Sequence, residues 1–195
     1  MFITFEGPDN VGKTTLSSMV AEYLNSTGEE TLLCSFPGRN VRKLGDLVYD
    51  LHHSEFAFEV EPLSLQLLHL AAHVDIINNV IKPNIHKGRS IVLDRYWWSL
   101  EAYAVLNEIS IDMVKPLIDL EVKIWESVKP NLTFLLKRDG AGAKDSHALS
   151  HYYDEIARRE AKVYKVLVVT NDGTIDECFG TVVDEISSFR RICEY

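Results

Sequence analysis

The sequence predicts an α/β fold with a five-stranded parallel sheet that is flanked by helices. Two observations carry this prediction: five short apolar runs lie along the chain, and helical patterns separate each run from the next. The runs are almost continuously apolar, which is typical of strands that are buried on both faces of a parallel sheet. No repeat, low-complexity tract or linker divides the 195 residues, so we expect a single domain over residues 1–195.

The first half of the chain contains three of the predicted strands, at residues 1–6, 30–36 and 89–94. A helix is predicted behind the first strand, over residues 12–24. Pro37 and Gly38 end the second strand, and helices at 44–53 and 62–86 follow it; the longer one has apolar periodicity over its length. Another helix, in the sequence SLEAYAVL, follows the third strand.

The second half contains the other two strands, at residues 131–136 and 165–170. A helix at 111–128 precedes the fourth strand. A polar, glycine-containing segment follows that strand, and we expect residues 137–150 to form a short lid. A charged helix then extends to about Tyr164, and the last predicted helix covers residues 175–190.

Composition and charge narrow the classes of function. A formal net charge of −9 disfavours a broad basic surface for nucleic acid, so an anionic substrate must be held by a local cluster of cations. Cys34, Cys178 and Cys193 have no metal-ligand spacing and are typical of a reducing compartment. The N-terminal run lacks the flank and core of a signal peptide, and no run approaches the roughly 18 apolar residues of a membrane helix. We therefore expect a cytoplasmic protein without a membrane partner.

The stretch FEGPDNVGKTT, residues 5–15, contains the full pattern G-x-x-x-x-G-K-[ST] of a phosphate-binding loop, or P-loop. It follows a predicted strand and opens a predicted helix, which an ordinary glycine-rich turn would not require. In such a loop the backbone N–H groups surround the phosphates, the lysine reaches the β- and γ-phosphates, and the hydroxyl after it binds Mg²⁺. The sequence thus predicts a P-loop NTPase fold that uses MgATP, with ATP bound by Gly7, Pro8, Asp9, Asn10, Val11, Gly12, Lys13, Thr14 and Thr15.

A second motif, VLDRYWWSLEAY at residues 92–103, indicates what receives the phosphate. Asp94 and Arg95 stand at the end of a strand, where ligands bind in open α/β sheets. Asp94 could orient Mg²⁺ or its water, and Arg95 could bind a second phosphate, although an Arg there could also form a surface salt bridge. The guanine motif Asn-Lys-x-Asp does not occur in the sequence, which disfavours a GTPase.

Several stretches, in this order, resemble the thymidylate kinase family. FEGPDNVGKTT is similar to the family's phosphate loop, including an Asp at Asp9, and FPGR at 36–39 is similar to its Phe/Glu-Pro segment. LLHLAAH at 67–73 occupies the helix that usually reads Leu-Leu-Phe-Ala-Ala-Asp/Asn-Arg. LDRY is similar to the family's Asp-Arg-Tyr/His motif, and NDGTIDECFGTVVDEI resembles its closing stretch beside the adenine.

The resemblance implies a nucleoside monophosphate kinase that transfers the γ-phosphate of MgATP to a monophosphate acceptor, which in this family is dTMP. It also implies a homodimer, to which the 62–86 helix could contribute. Arg95 and Arg39 would hold the acceptor's phosphate, although Arg39 could equally belong to an ordinary polar turn. Asp9 would contact the deoxyribose or help to place the acceptor. The implied acceptor site comprises Asp9, Phe36, Arg39, His69, His73, Arg95, Glu101 and Tyr103; the metal ligands are Thr14 and Asp94; the catalytic residues are Lys13, Asp9, Arg95 and Arg138.

The sequence departs from the family pattern around the acceptor base. His69 replaces the usual stacking Phe, and His73 replaces the usual Arg. A histidine can stack on a base and form a hydrogen bond, but it lacks the fork of a guanidinium. Packing, or less readily a metal site, would also account for the pair. Leu100 and Glu101 replace small or amide residues, and Glu101 could accept hydrogen bonds from a base or lie in solvent. A different or modified nucleotide acceptor therefore stays open.

The segment after the fourth strand departs from the pattern as well. Family members without a basic residue in the phosphate loop usually carry arginines in a lid, and this loop has Asn10. Arg138 is the first candidate for the cation that stabilises the transition state, and Lys144 is the second; both could instead be solvated. Gly140 and Gly142 suit a segment that closes over a nucleotide. The reduced lid leaves open a regulatory or scaffold protein that binds nucleotide with little turnover.

Overall fold

A computed structural model describes residues 1–125, 128–138 and 146–193. Its five strands form one parallel sheet in the order β2-β3-β1-β4-β5, which confirms the predicted fold class. The strands have these bounds: β1 Phe2–Glu6, β2 Thr31–Ser35, β3 Ser90–Asp94, β4 Leu132–Lys137 and β5 Lys165–Thr170. Each lies within one or two residues of its predicted position.

Helices connect the strands. The α-helices among the described residues are α1 Lys13–Ser26, α2 Lys43–His52, α3 Pro62–Ile76, α4 Lys82–His86, α5 Trp97–Leu106, α6 Ile111–Trp125, α7 Ser146–Glu160 and α8 Ile175–Cys193, with a short 3₁₀ turn at Ala57–Glu59. The predicted helix at 62–86 is present as α3 and α4, joined by a π-helical turn at Ile77–Ile81. Pro83 accounts for that turn, because it has no N–H to donate to the carbonyl of Asn79.

Two cores cover the two faces of the sheet. One core lies between the sheet and α3, α5, α6 and α7, and the other lies between the sheet and α1 and α8. In β3, Ile91 and Leu93 face the first core and Val92 faces the second. This double burial is the reason why the strands are almost continuously apolar. Cys34 and Cys178 are buried free thiols, one in each core.

Two predictions reach beyond the part of the chain that the structure describes. Gly140, Gly142 and Lys144 of the expected lid lie outside the described residues, and the single domain over residues 1–195 stays a prediction. Within the described ranges no helix is long and apolar enough to cross a membrane. The site is positioned by the carboxyl ends of β1 and β3, which are neighbours in the sheet, with Phe5 paired to Asp94.

Candidate active site

The loop between β1 and α1 depends on its two glycines. Gly7 has a φ of +138°, and a Cβ there would lie 2.3 Å from the carbonyl oxygen of Leu136. Gly12 has a φ of +97°, and a Cβ would lie 2.6 Å from the side-chain nitrogen of Asn171. A larger residue at either position would meet a strained backbone and a clash. The tight turn places backbone N–H groups and the N-terminus of α1 together, which favours a bound phosphate.

Lys13, the first residue of α1, is folded against this loop. It is 5% exposed, and its Nζ donates a hydrogen bond to the carbonyl oxygen of Pro8. Burial and the positive charge of Arg95 lower the pKa of Lys13 to about 8. An anion bound in the loop would favour the charged ammonium, because an opposite charge stabilises the protonated form.

Thr14 and Asp94 bring a hydroxyl and a carboxylate together beside the loop. The Thr14 hydroxyl donates to Oδ2 of Asp94 over 2.7 Å. Oδ1 of Asp94 is buried and has no hydrogen-bond partner among the residues that the structure describes. This donor set suits Mg²⁺, which in nucleotide sites takes one or two protein oxygens and completes its shell with water and phosphate.

The alternative of a metal at His69 and His73 is not supported. Across residues 1–125, 128–138 and 146–193, no group of three or more His, Cys, Asp or Glu side chains is arranged to hold a metal ion. Two imidazoles without a third protein ligand do not make a structural metal site. We therefore consider the two histidines as part of a binding cavity.

A cavity of about 650 Å³ opens over the phosphate loop. It brings together most of the predicted ATP residues with Arg138, and its lining comprises Asp9, Asn10, Gly12, Lys13, Thr14, Thr15, Arg95, Arg138, Asn171, Gly173 and Ile175. Asn171 is not among the predicted ATP residues, although it opens the stretch that resembles the family's closing segment beside the adenine. Its backbone N–H donates to the carbonyl of Lys137 over 2.7 Å, and its side chain donates to the carbonyl of Val11 over 2.9 Å. Its place directly after β5 is the signal that could have indicated it.

Arg95 stands at a turn with an unusual backbone. Its φ of +71° lies in the left-handed region, which non-glycine residues adopt mainly at functional or tightly constrained positions. Its guanidinium donates to Oδ1 of Asp9, and the Tyr103 hydroxyl donates to Oδ2 of the same carboxylate over 2.7 Å. The side chains of Arg95 and Tyr103 are thus connected to the phosphate loop through Asp9.

A second cavity, of about 480 Å³, adjoins the first. Seven of the eight predicted acceptor residues line it: Asp9, Phe36, Arg39, His69, His73, Arg95 and Tyr103. Sequence reasoning missed several further lining residues, among them Tyr49, His52, His53, Gln66 and Ser99. The Arg39 guanidinium lies 3.9 Å from the centre of the Tyr49 ring, so α2 helps to hold the arginine at the cavity.

His69 is a neutral ring in the wall of this cavity. Its Nε2 lies 3.3 Å from Nδ1 of His52. Burial, together with the neighbouring imidazoles of His73 and His52, lowers the pKa of His69 to about 3. The ring is therefore uncharged at neutral pH and can offer a flat face and one N–H.

His73 is held more rigidly. Its ring stacks on Phe36 with 3.8 Å between the ring centres, and its Nδ1 lies 3.0 and 3.1 Å from the two carboxylate oxygens of Glu121. Glu121 is fully buried in α6 and also accepts a weak bond from the Trp125 indole at 3.4 Å. Nothing in the sequence connects His73 with Glu121, because the two residues are 48 positions apart. The structure combines the packing and cavity roles that the sequence left as alternatives.

A comparison with protein families decides where this fold and site belong. The family model described as thymidylate kinase matches residues 5–169. This chain belongs to the thymidylate kinase family. The matched range includes the phosphate loop, the Asp94-Arg95 turn and both histidines of α3, which confirms the resemblance seen in the sequence.

Individual members of the thymidylate kinase family are similar over different lengths. The thymidylate kinase of Bartonella quintana (strain Toulouse) is 37% identical over 135 residues, which cover 69% of this chain and 61% of the relative. The probable thymidylate kinase of Thermococcus kodakarensis is 28% identical over 84% of this chain and 80% of that protein. The chain thus spans less than two thirds of the first relative's length.

Among solved structures, a thymidylate kinase from Ehrlichia chaffeensis superposes with a TM-score of 0.79 at 25% identity. The superposition covers 95% of this chain and 98% of that one. The thymidylate kinase fold is therefore shared along almost the whole of both chains.

Glu101 is the predicted acceptor residue that the structure does not bring to the second cavity. Leu100 and Tyr103 of α5 line the cavity, whereas Glu101 lies about 100° around the helix from Leu100 and about 160° from Tyr103, and it faces α7. Its carboxylate accepts two hydrogen bonds from Arg159, at 3.0 and 2.6 Å. This ion pair matches neither the base-binding role nor the solvated role predicted for Glu101. Instead, Glu101 connects α5 to α7 in this thymidylate kinase fold.

Arg138, the first candidate for the transition-state cation, lines the first cavity. It follows β4 directly, so its backbone position is set by the sheet. Lys144, the second candidate, lies outside the described residues. Two nearby cations are engaged elsewhere: Lys137, the last residue of β4, donates to Asp154 over 2.6 Å, and Arg159 of α7 donates to Glu101. Arg138 is thus the cation of this segment that the structure brings to the nucleotide side.

Glu6, the last residue of β1, is a site residue that sequence reasoning missed. It is fully buried, and its Oε1 accepts from the backbone N–H groups of Tyr96 at 2.7 Å and Ser99 at 3.1 Å. Its Oε2 accepts from the Ser99 hydroxyl over 2.8 Å. Burial raises the pKa of Glu6 to about 7, although Arg95 and these hydrogen bonds favour the charged form. Its place directly before Gly7 was the available signal.

The raised pKa of Glu6 predicts that the Glu6→Gln variant gains stability relative to wild type as the pH rises. Folded Glu6 holds its proton up to about pH 7, whereas a free glutamate loses it near 4.5. In that window the folded state binds more protons, so the wild type's free energy of unfolding falls with rising pH, by up to about 3 kcal/mol. Because glutamine does not titrate, the free energy of unfolding of Glu6→Gln does not fall in this way. Urea denaturation at pH 5 and pH 8 measures the difference.

The matched control for this measurement is Glu22→Gln, on the exposed face of α1. We expect the control to follow the pH dependence of the wild type. If wild type and Glu6→Gln lose the same free energy of unfolding between pH 5 and pH 8, the raised pKa of Glu6 is wrong.

Proposed function

We propose that this protein transfers the γ-phosphate of MgATP to dTMP and forms dTDP. One observation carries the proposal: the cavity over the phosphate loop and the cavity lined by the acceptor residues share Asp9, Thr14 and Arg95. A nucleotide in each cavity would have its phosphates at this junction. Membership of the thymidylate kinase family and the names of its relatives support the same reaction.

The charges around the junction suit phosphoryl transfer between two anions. Such a reaction needs little covalent chemistry from the protein, but it needs fixed positive charge around the transferred group. Lys13 and Arg138 line the donor cavity, Arg39 lines the acceptor cavity, and Arg95 lines both. In a protein with a net charge of −9, these local cations determine where a nucleotide can bind.

The residues present fit the Mg²⁺ that the reaction requires. Thr14 and Asp94 would hold it, since Oδ1 of Asp94 has no described partner and Oδ2 of the same carboxylate accepts from the Thr14 hydroxyl. When bound, the ion neutralises charge on the ATP phosphates. Lys13 and the loop N–H groups would hold the same phosphates, and Arg95 would keep the acceptor's phosphate in line with them.

The second cavity suits a deoxynucleoside monophosphate. Arg39 and Arg95 would bind the phosphate, and Asp9 would accept a hydrogen bond from the deoxyribose. The neutral ring of His69 would stack on the base, as the family's usual Phe would. His73, fixed by Phe36 and Glu121, would contact the edge of the base.

A second candidate is the same reaction on a different or modified nucleotide. Four histidines, His52, His53, His69 and His73, line the acceptor cavity, where a resemblance to the family leads one to expect a Phe and an Arg at two of the positions. These rings offer hydrogen bonds that the family pattern does not.

A scaffold without turnover has less support, because Lys13, Thr14, Asp94 and Arg95 meet at one junction.

We also propose a homodimer in which the long helix from Pro62 contributes to the interface. Leu67 and Leu68 of α3 are 47% and 36% exposed, and Leu120 of the adjoining α6 is 48% exposed. Burial of these side chains against a second copy would remove apolar surface from water. The cytoplasmic location expected from the sequence stays a prediction.

The proposed reaction predicts that dTMP is the preferred acceptor among dTMP, dUMP, dCMP and dGMP when each is assayed with MgATP. Lys13→Ala should lower kcat at least about 100-fold, since it removes a cation from the developing charge. Dissociation constants for ATP, measured in parallel, distinguish lost catalysis from lost binding. Equal rates for wild type and Lys13→Ala, or no turnover of any monophosphate by wild type, would contradict the reaction. A clear preference for another monophosphate would favour the second candidate.

Stacking by His69 predicts different outcomes for two substitutions. His69→Ala should raise the KM for dTMP about 10-fold, because stacking of a base on a ring contributes about 1–3 kcal/mol. His69→Phe should keep that KM within about twofold, because the ring face is retained. His86→Ala, at the exposed end of α4, is the matched control. If His69→Phe loses as much affinity as His69→Ala, the imidazole acts through a hydrogen bond and the stacking role is wrong.

A further inference from the structure

Three backbone N–H groups in and after the Arg95 turn donate hydrogen bonds to residues of β1. The N–H of Arg95 donates to the carbonyl of Phe5 over 2.9 Å. The N–H groups of Tyr96 and Ser99 donate to the carboxylate of Glu6, at 2.7 and 3.1 Å. Tyr96, which precedes α5, makes no side-chain capping bond. Glu6 accepts from the Tyr96 N–H and shares the Ser99 N–H with the carbonyl of Tyr96, which lies 3.2 Å from the Ser99 nitrogen. These bonds keep the left-handed backbone at Arg95 in place.

The hydroxyl of Ser99 is at the centre of the same group. It lies 2.8 Å from Oε2 of Glu6, 3.2 Å from Nη1 of Arg95 and 2.9 Å from the hydroxyl of Tyr153. A carboxylate only accepts and a guanidinium only donates. When Glu6 is ionised, the Ser99 hydrogen therefore goes to Glu6, and the two lone pairs of the Ser99 oxygen accept from Arg95 and Tyr153. Every bonding position of the hydroxyl is filled.

Little water can compete with this arrangement. Glu6 and Tyr153 are completely buried, and Ser99 is 9% exposed. Hydrogen bonds in such surroundings are stronger than at the surface, and an unpaired member is costly. With Glu6 ionised, as it is above about pH 7, the direction of each bond follows from the others, so the network has one low-energy arrangement.

We propose that Glu6 and Ser99 are positioning residues that hold the Arg95 guanidinium at the junction of the two cavities, with Tyr153 orienting the Ser99 hydroxyl from α7. The inference rests on the proposed role of Arg95 in binding the acceptor's phosphate. Asp9 holds one edge of the guanidinium and Ser99 holds Nη1, so the remaining N–H donors are directed by two fixed contacts. If the Ser99 hydroxyl were removed, Asp9 would be the one of these two contacts that still directs the Arg95 guanidinium.

This role affects the two substrates differently. Ser99 lines the acceptor cavity but not the cavity over the phosphate loop. Arg95 lines both cavities, but its proposed role is to bind the acceptor's phosphate, whereas Lys13 and the loop N–H groups would hold the ATP phosphates. Loss of the Ser99 hydroxyl should therefore weaken binding of the monophosphate and leave the affinity for ATP almost unchanged. A purely structural role would lower stability without such a difference.

The test compares dTMP and ATP for wild type, Ser99→Ala, Ser99→Thr and Glu6→Gln. We expect Ser99→Ala to raise the dissociation constant and the KM for dTMP about 5- to 10-fold, with the values for ATP changed less than twofold. Ser99→Thr keeps the hydroxyl and should recover most of the affinity. Glu6→Gln should act in the same direction as Ser99→Ala, because an amide N–H toward Ser99 would occupy a lone pair that now accepts from Arg95.

Ser90→Ala is the matched control. Ser90 is a buried serine at the other end of β3, where it accepts from the N-terminal ammonium over 2.7 Å, far from Arg95 in the strand. Urea denaturation of every variant shows that each is folded. Unchanged dTMP affinity in folded Ser99→Ala, or equal losses for dTMP and ATP, would overturn the positioning role. If wild type binds no monophosphate, the proposed function itself fails, and that result is read from wild type alone.

Discussion

The pairing of β1 with β3 is the constraint on which the site depends. Both strands are parallel and central, and Phe5 lies opposite Asp94, so the residues that follow them emerge side by side. β1 delivers the phosphate loop and β3 delivers Asp94 and Arg95. Because the register fixes this neighbourhood, Thr14 reaches Asp94 and Asp9 reaches Arg95, although each pair is at least 80 positions apart in the chain. A slip of the register would separate the donor half of the site from the acceptor half.

The same arrangement explains how an acidic protein would bind the two polyanions of the proposed reaction. The cations at the junction are each held by a neighbour of the opposite charge or by a dipole: Arg95 by Asp9, and Lys13 by the Pro8 carbonyl. These partners keep the side chains in place without a nucleotide, and phosphate oxygens are stronger acceptors that can replace or join them. The network behind Arg95 then reaches α7 through Tyr153, so α7 is connected to the acceptor side.

Much of the fold and part of the site could be predicted from the sequence, for a physical reason. The phosphate loop is a local motif, and Gly7 and Gly12 are required by backbone geometry within that motif. Asp94 and Arg95 were predictable because a strand end in a parallel sheet faces the ligand. Contacts between side chains that are distant in the sequence were not predictable. Glu121 looks like any polar residue on α6 until α3 brings His73 against it, and the partner of Glu101 depended on the packing of α7.

A crystal structure of the protein with dTMP, ADP and Mg²⁺ tests the central claim most directly. The account predicts ADP in the phosphate loop and dTMP in the second cavity. The dTMP phosphate should lie within hydrogen-bond distance of Arg95 and Arg39, and the thymine ring should lie over His69. A dTMP molecule bound elsewhere, or a phosphate that does not contact Arg95, would contradict the account.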